Sequence, residues 1–153
     1  MDEPATAELR YRRLSPVWRS ALLFSATVSF LFALYQAFNL GNMVGFVVIE
    51  NRYFYAVLTI LLPLAFFVFP ASTKSPLDRV PWYDVILTLS ALGISSSLVY
   101  FSNEIVDKGW EYSAPDYMQY LSIALWLLVL EATRRGGGNI VATIIAVVSV
   151  YPL

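Results

Sequence analysis

The stretch Ala21–Leu40, ALLFSATVSFLFALYQAFNL, carries no acidic or basic side chain. Crossing about 30 Å of hydrocarbon takes about 20 apolar residues at 1.5 Å each, and this stretch meets that length by itself. It is also longer than the apolar run of a secretory signal, about 7–15 residues, so it reads as a retained span. Ser15 and Pro16 fit its start, the serine as N-cap and the proline at the first helical position, where its missing N–H is no loss. Working outward, Tyr53–Phe69, Val85–Phe101, Tyr117–Leu130 and Ile140–Leu153 are equally free of charge. The fourth becomes long enough when Ser113-Ala114-Pro115-Asp116 is read as a helix start, which predicts a helix over Ala114–Arg135. Pro63 is expected to bend the second span.

The composition agrees. Of the 153 residues 58% are apolar and 14% are charged, against roughly 25% charged in an ordinary soluble domain. Mean hydropathy is +0.63. The net charge of −1 gives no basic footprint for nucleic acid. The chain has no cysteine and no histidine. Thiolate or imidazole metal sites, a Ser-His-Asp triad and a cysteine nucleophile are therefore excluded, and neither an enzyme nor a cofactor site is expected. The expected fold is an all-α membrane protein with four transmembrane helices and the start of a fifth. Residues 1–15 form a basic tail and 16–135 a four-helix membrane domain. Residues 136–153 form a glycine-rich joint, Gly136-Gly137-Gly138, and a partial fifth helix, as though the chain were the front of a longer one.

Loop charges set the orientation. Arg10, Arg12, Arg13 and Arg19 in the tail, Lys74 and Arg79 in the second loop, and Arg134 and Arg135 after the fourth span put eight basic residues on one side. Arg52 and Lys108 put two on the other. Basic residues stay cytoplasmic, so the N-terminus is expected inside. Trp18, Trp82, Tyr83 and Trp110 fall at span edges and read as headgroup anchors.

No span carries a charge near its middle, where ion paths and proton relays place one. The polar candidates lie at the ends. Glu131 and Arg135 are four apart in the favourable order for a helical pair. Arg134 and Arg135 suit a helix C-terminus. Together the three read as a helix end pinned at the headgroups or as a polar joint to a neighbour. Asp84 reads as an acid at the positive end of the third span. Gly93 and Ser97 have small-xxx-small spacing, with Ala91 and Ser95 on a neighbouring face, and read as a packing surface. The loop from Ser102 to Glu111, with Asp116, holds four acids and one base; it reads as a solvated loop or as a rim for an exported partner.

Several pieces together resemble the opening of fused permeases of the tripartite ATP-independent periplasmic (TRAP) transporters. They are Arg13-Leu14-Ser15, Phe32-Ala33-Leu34-Tyr35-Gln36-Ala37, Phe69-Pro70-Ala71, Arg79-Val80-Pro81-Trp82-Tyr83-Asp84 and Leu130-Glu131-Ala132-Thr133-Arg134-Arg135. A new apolar helix ending in Val150-Tyr151-Pro152 follows. Their order and spacing match across nearly the whole chain. The sequence departs from the family at Arg52-Tyr53-Phe54-Tyr55, where a histidine often follows the arginine. The resemblance implies a sodium-driven uptake system for organic acids in a bacterial or archaeal cytoplasmic membrane. An exported binding protein captures the substrate, a large membrane part carries it with sodium, and a small membrane part of four helices serves as scaffold. This chain resembles the small part, with the large part as its partner. A stand-alone membrane adaptor without transport is the alternative, and a stop codon after Leu153 would favour it.

Overall fold

In the computed structural model, residues 11–150 other than 13, 73, 74 and 111 are described. Among them there are helices and no strand: α1 Pro16–Ala37, α2 Gly41–Val44, α3 Glu50–Val68, α4 Trp82–Tyr100, α5 Ser102–Asp107 and α6 Asp116–Val150. Three helices, α1, α3 and α4, are long and apolar enough to cross a membrane. At 1.5 Å per residue they are about 28–33 Å long.

The core is built by α3, α4 and the first half of α6. Leu62 and Phe66 meet Ala91 and Leu98, and Met118, Leu125 and Leu128 close the third side. Ile105 of the short α5 plugs one end. Ala91 and Ser95 are fully buried, so they form the small-residue face that lets α3 and α4 approach. Gly93 lies on the open side, where an added Cβ would meet nothing within 4 Å. Ser97 turns its hydroxyl back to the Gly93 carbonyl at 2.8 Å. α1 stays peripheral, with Ser29 its single buried residue. It leans on α3 through rings: Trp18 stacks on Phe67 at 4.7 Å, and Phe32 meets Tyr53 at 5.1 Å.

The starts of α1, α4 and α6 are marked by Pro16, Pro81 and Pro115. Ser15 is the N-cap of α1 with Pro16 behind it, but its side chain makes no cap bond; its carbonyl takes the Arg19 N–H. α6 begins at Asp116 and not at Ala114 as expected. Proline disfavours the α region in the residue before it, so Ala114 cannot start the helix. Ser113 therefore does not cap it, and the N–H groups of Met118 and Gln119 close on the Pro115 carbonyl. Pro63 lies inside an uninterrupted α3.

The expected glycine joint is a sharp one. Gly138 has φ 85° and ψ 173°, a conformation open to glycine alone. Beyond it the chain folds back. Trp126 Nε1 donates to Ser149 Oγ at 2.9 Å, whereas in a straight helix 23 residues would separate them by about 34 Å. Residues 139–150 thus form a return arm against the first half of α6. Tyr151 to Leu153, Arg10, Arg13 and Lys74 lie outside the described residues.

Candidate functional site

α3 ends in a difficulty set by its sequence. The last carbonyls of a helix lack intrahelical donors, and Pro70 has no N–H to offer the Phe66 carbonyl four residues back. Arg12 supplies the donors. Its Nη1 bonds the Phe66 carbonyl at 2.9 Å and the Phe67 carbonyl at 3.3 Å, and its backbone N–H takes the Val68 carbonyl at 3.0 Å. Arg135 Nη1 lies 3.4 Å from the Phe69 carbonyl, and Arg134 Nη2 bonds the Ala71 carbonyl at 3.1 Å. Cations at a helix C-terminus also complement its dipole.

The same arginines converge on acids. Asp84, in the first turn of α4, is completely buried. One of its oxygens accepts from Arg12 Nη2, the other from Arg135 Nη1 at 2.6 Å. Arg135 Nε continues to Glu131 at 2.8 Å, and Arg134 Nε bonds the other oxygen of Glu131 at 2.7 Å. The guanidinium of Arg135 also lies 5.1 Å from the centre of the Phe66 ring. Five charged side chains from the N-terminal segment, α4 and α6 are thereby knotted around the end of α3.

Asp84 was expected as a helix-start acid serving the α4 dipole. It does lie in the first turn of α4, and it is also the centre of a buried double ion pair, because Arg12 and Arg135 both reach it. Arg12, expected as a headgroup charge of the tail, has only 1% of its side chain exposed. The Glu131–Arg135 pair forms as expected, yet Arg135 is 2% exposed and belongs to the interior. Arg134 keeps 38% of its side chain exposed. Three guanidiniums against two carboxylates leave one positive charge, and Arg134 is where it meets the surroundings. Arg12 Nε is buried without a partner.

No family model, curated protein or solved structure matches the chain.

The knot is suited to holding helices together. Each of its carboxylates is engaged by two guanidiniums: Asp84 is enclosed between Arg12 and Arg135, whereas Glu131 keeps 28% of its side chain exposed. Among the described residues no group of three or more His, Cys, Asp or Glu side chains is gathered as for a metal. Beside the knot, a groove of about 450 Å³ runs between the two arms of α6, lined by Leu127, Leu130, Arg134, Ala142 and Ala146 among others.

The anchors divide. Trp82 is exposed at the start of α4, and the Tyr83 hydroxyl lies 3.3 Å from Ser75 Oγ. Trp110, expected at the headgroups, packs inward against Phe101 and Tyr117. Lys108 sits over its ring and pairs with Glu104 at 2.8 Å; that hydrogen bond holds the lysine above its usual pKa. At this opposite end Arg52 Nε donates to the buried Ser102 at 2.9 Å, tying α3 to α5. The sequence reading missed Arg12 and Ser102 as joints. Pro70, which orphans a helix carbonyl, was the available signal for Arg12.

Proposed function

We propose that this chain is the scaffold domain of a sodium-coupled secondary transporter for organic acids. It works beside a large membrane domain and an extracytoplasmic substrate-binding protein, in a bacterial or archaeal cytoplasmic membrane. The observation that carries the reading is the knot. The segment Leu130–Arg135, the strongest part of the resemblance to TRAP permeases, is the segment whose Glu131, Arg134 and Arg135 tie α6 to α3 and α4. A domain meant to stay rigid while its neighbour moves benefits from such a clamp. α1, α3, α4 and the first half of α6 are taken as four spans, with the knot on the cytoplasmic side by the distribution of basic residues.

Two further features support a holding role. No acid or base lies in the middle of α1, α3 or α4, where couplers place theirs. The Gly93–Ser97 face of α4 is open, and small residues in lipid favour close helix approach. Residues 1–153, reconstituted with a sodium gradient and the matching binding protein, are expected to give uptake equal to empty vesicles, and adding the remaining membrane part restores it. Gly93→Leu is expected to leave the chain's own stability within about 0.5 kcal/mol while lowering co-purification with that part. Uptake by the short chain alone, or undiminished co-purification of the variant, would overturn the reading.

A further inference from the structure

The connection between α1 and α3 is unlike the other connections. No acidic or basic residue occurs from Ser20 to Ile49, whereas the loops around residues 78 and 108 are charged. Phe38, Met43, Val44, Phe46 and Val47 are all exposed, Met43 at 84%. A water-facing loop would solvate its backbone; this one pairs most of its N–H groups internally. Apart from Gly41, every backbone N–H from Phe38 to Phe46 donates to a carbonyl within residues 34–41. The Tyr35 hydroxyl donates to the Phe46 carbonyl, and Gln36 Nε2 reaches the Val48 carbonyl at 3.4 Å.

The loop is also built to hold its shape. An added Cβ at Gly41 would lie 2.6 Å from the Phe46 carbonyl oxygen, so only glycine lets the two segments meet. Asn39, at φ 51°, and Gly45, at φ 79°, make the turns. A backbone whose N–H groups are mostly paired internally, with apolar side chains outward, suits the lipid interface better than open water. Asn39 and Asn42 are exposed too, and their amide groups suit the headgroup boundary, where water remains; Phe30, Leu31 and Phe54 of the adjoining helices are likewise exposed.

We propose that residues 38–49 form a rigid wedge inserted in the interfacial layer of the leaflet opposite the arginine knot, its partner being the lipid glycerol and upper acyl region. This rests on the reading that α1 and α3 cross a bilayer. The chain has no cysteine, so Met43→Cys, Phe30→Cys and Tyr112→Cys can each carry one environment-sensitive fluorophore in phosphatidylcholine–phosphatidylglycerol liposomes. The label at position 43 is expected to lose quenching by aqueous iodide and to be quenched by lipids brominated near the headgroup. That at position 112, at the same end of the bundle, is expected to respond to iodide, and that at position 30 only to deeply brominated lipids. Iodide quenching at 43 equal to that at 112 overturns the wedge. Shielding at 43 from both iodide and brominated lipid also overturns it, in favour of a protein cover. Iodide quenching at position 30 instead overturns the membrane reading on which the wedge rests.

Discussion

Replacing Asp84 by asparagine keeps the shape of the side chain and removes its charge. If the acid only served the α4 dipole, the loss would be about 0.3–1 kcal/mol. The structure gives a larger figure. Asp84 is fully buried between two guanidiniums, and removing one member of a buried ion pair costs about 3–5 kcal/mol, because the remaining charge stays uncompensated in a dry site. Two compensations remain. Arg135 keeps Glu131, and Arg12 keeps the Phe66 and Phe67 carbonyls. The lower end, about 3 kcal/mol, is therefore expected, which is roughly a 150-fold rise in the unfolded-to-folded ratio. Reversible unfolding of the chain in mixed micelles, followed by tryptophan fluorescence, measures it. A double-mutant cycle with Arg12→Gln should give a coupling energy of about 1.5 kcal/mol or more. A loss below about 1 kcal/mol, or additive single losses, would refute the buried pair and return Asp84 to a dipole role.

The two neighbouring arginines should part company in the same assay: Arg135→Ala is expected to cost about 3 kcal/mol and Arg134→Ala less than about 1 kcal/mol, since the latter is a partly exposed i,i+3 pair. Equal losses would count against the burial difference. Gly138→Ala forces a side chain into a positive-φ conformation and should cost about 1–3 kcal/mol while moving Trp126 away from Ser149, read as a shift in indole emission; an unchanged spectrum and stability would contradict the folded-back arm. Single cysteines at Asp2, Asn103 and Gly137 test orientation, and an impermeant reagent added outside should label only position 103; labelling at position 2 would overturn the N-inside assignment.

How much of this was legible in the sequence depended on the distance between cause and effect. α1, α3 and α4 lie within a few residues of the apolar stretches that announced them, because length and the absence of charge are local properties. The Glu131–Arg135 pair was legible for the same reason, since helical geometry alone brings i and i+4 together. Asp84 lies in the first turn of α4 as expected, but its ion pairs were not legible, because its partners are 72 residues before it and 51 after it and no periodicity links such positions. Gly136-Gly137-Gly138 marked a joint, but three glycines do not fix an angle, so the return of residues 139–150 along α6 was not readable. Ser113 was misassigned for a local reason that could have been weighed: the proline two residues later forbids a helical Ala114. The α1–α3 connection was passed over as a simple link between spans.

The long reach of the knot also bears on how the chain is made. Arg12 leaves the ribosome long before any of its partners: Phe66 follows 54 residues later and Asp84 72 residues later. Arg135 comes another 51 after that. At about 5–20 residues per second, this places several seconds to tens of seconds between the synthesis of the first guanidinium and the last. Until Arg135 is made, Arg12 can reach the Phe66 and Phe67 carbonyls and Asp84, but the Asp84 oxygen that Arg135 takes in the finished chain has no guanidinium. Burial of Asp84 between both arginines becomes possible only when the start of α6 has joined α3 and α4. The clamp is therefore complete only then, and a chain interrupted after α4 lacks the second guanidinium that covers Asp84 in the finished one.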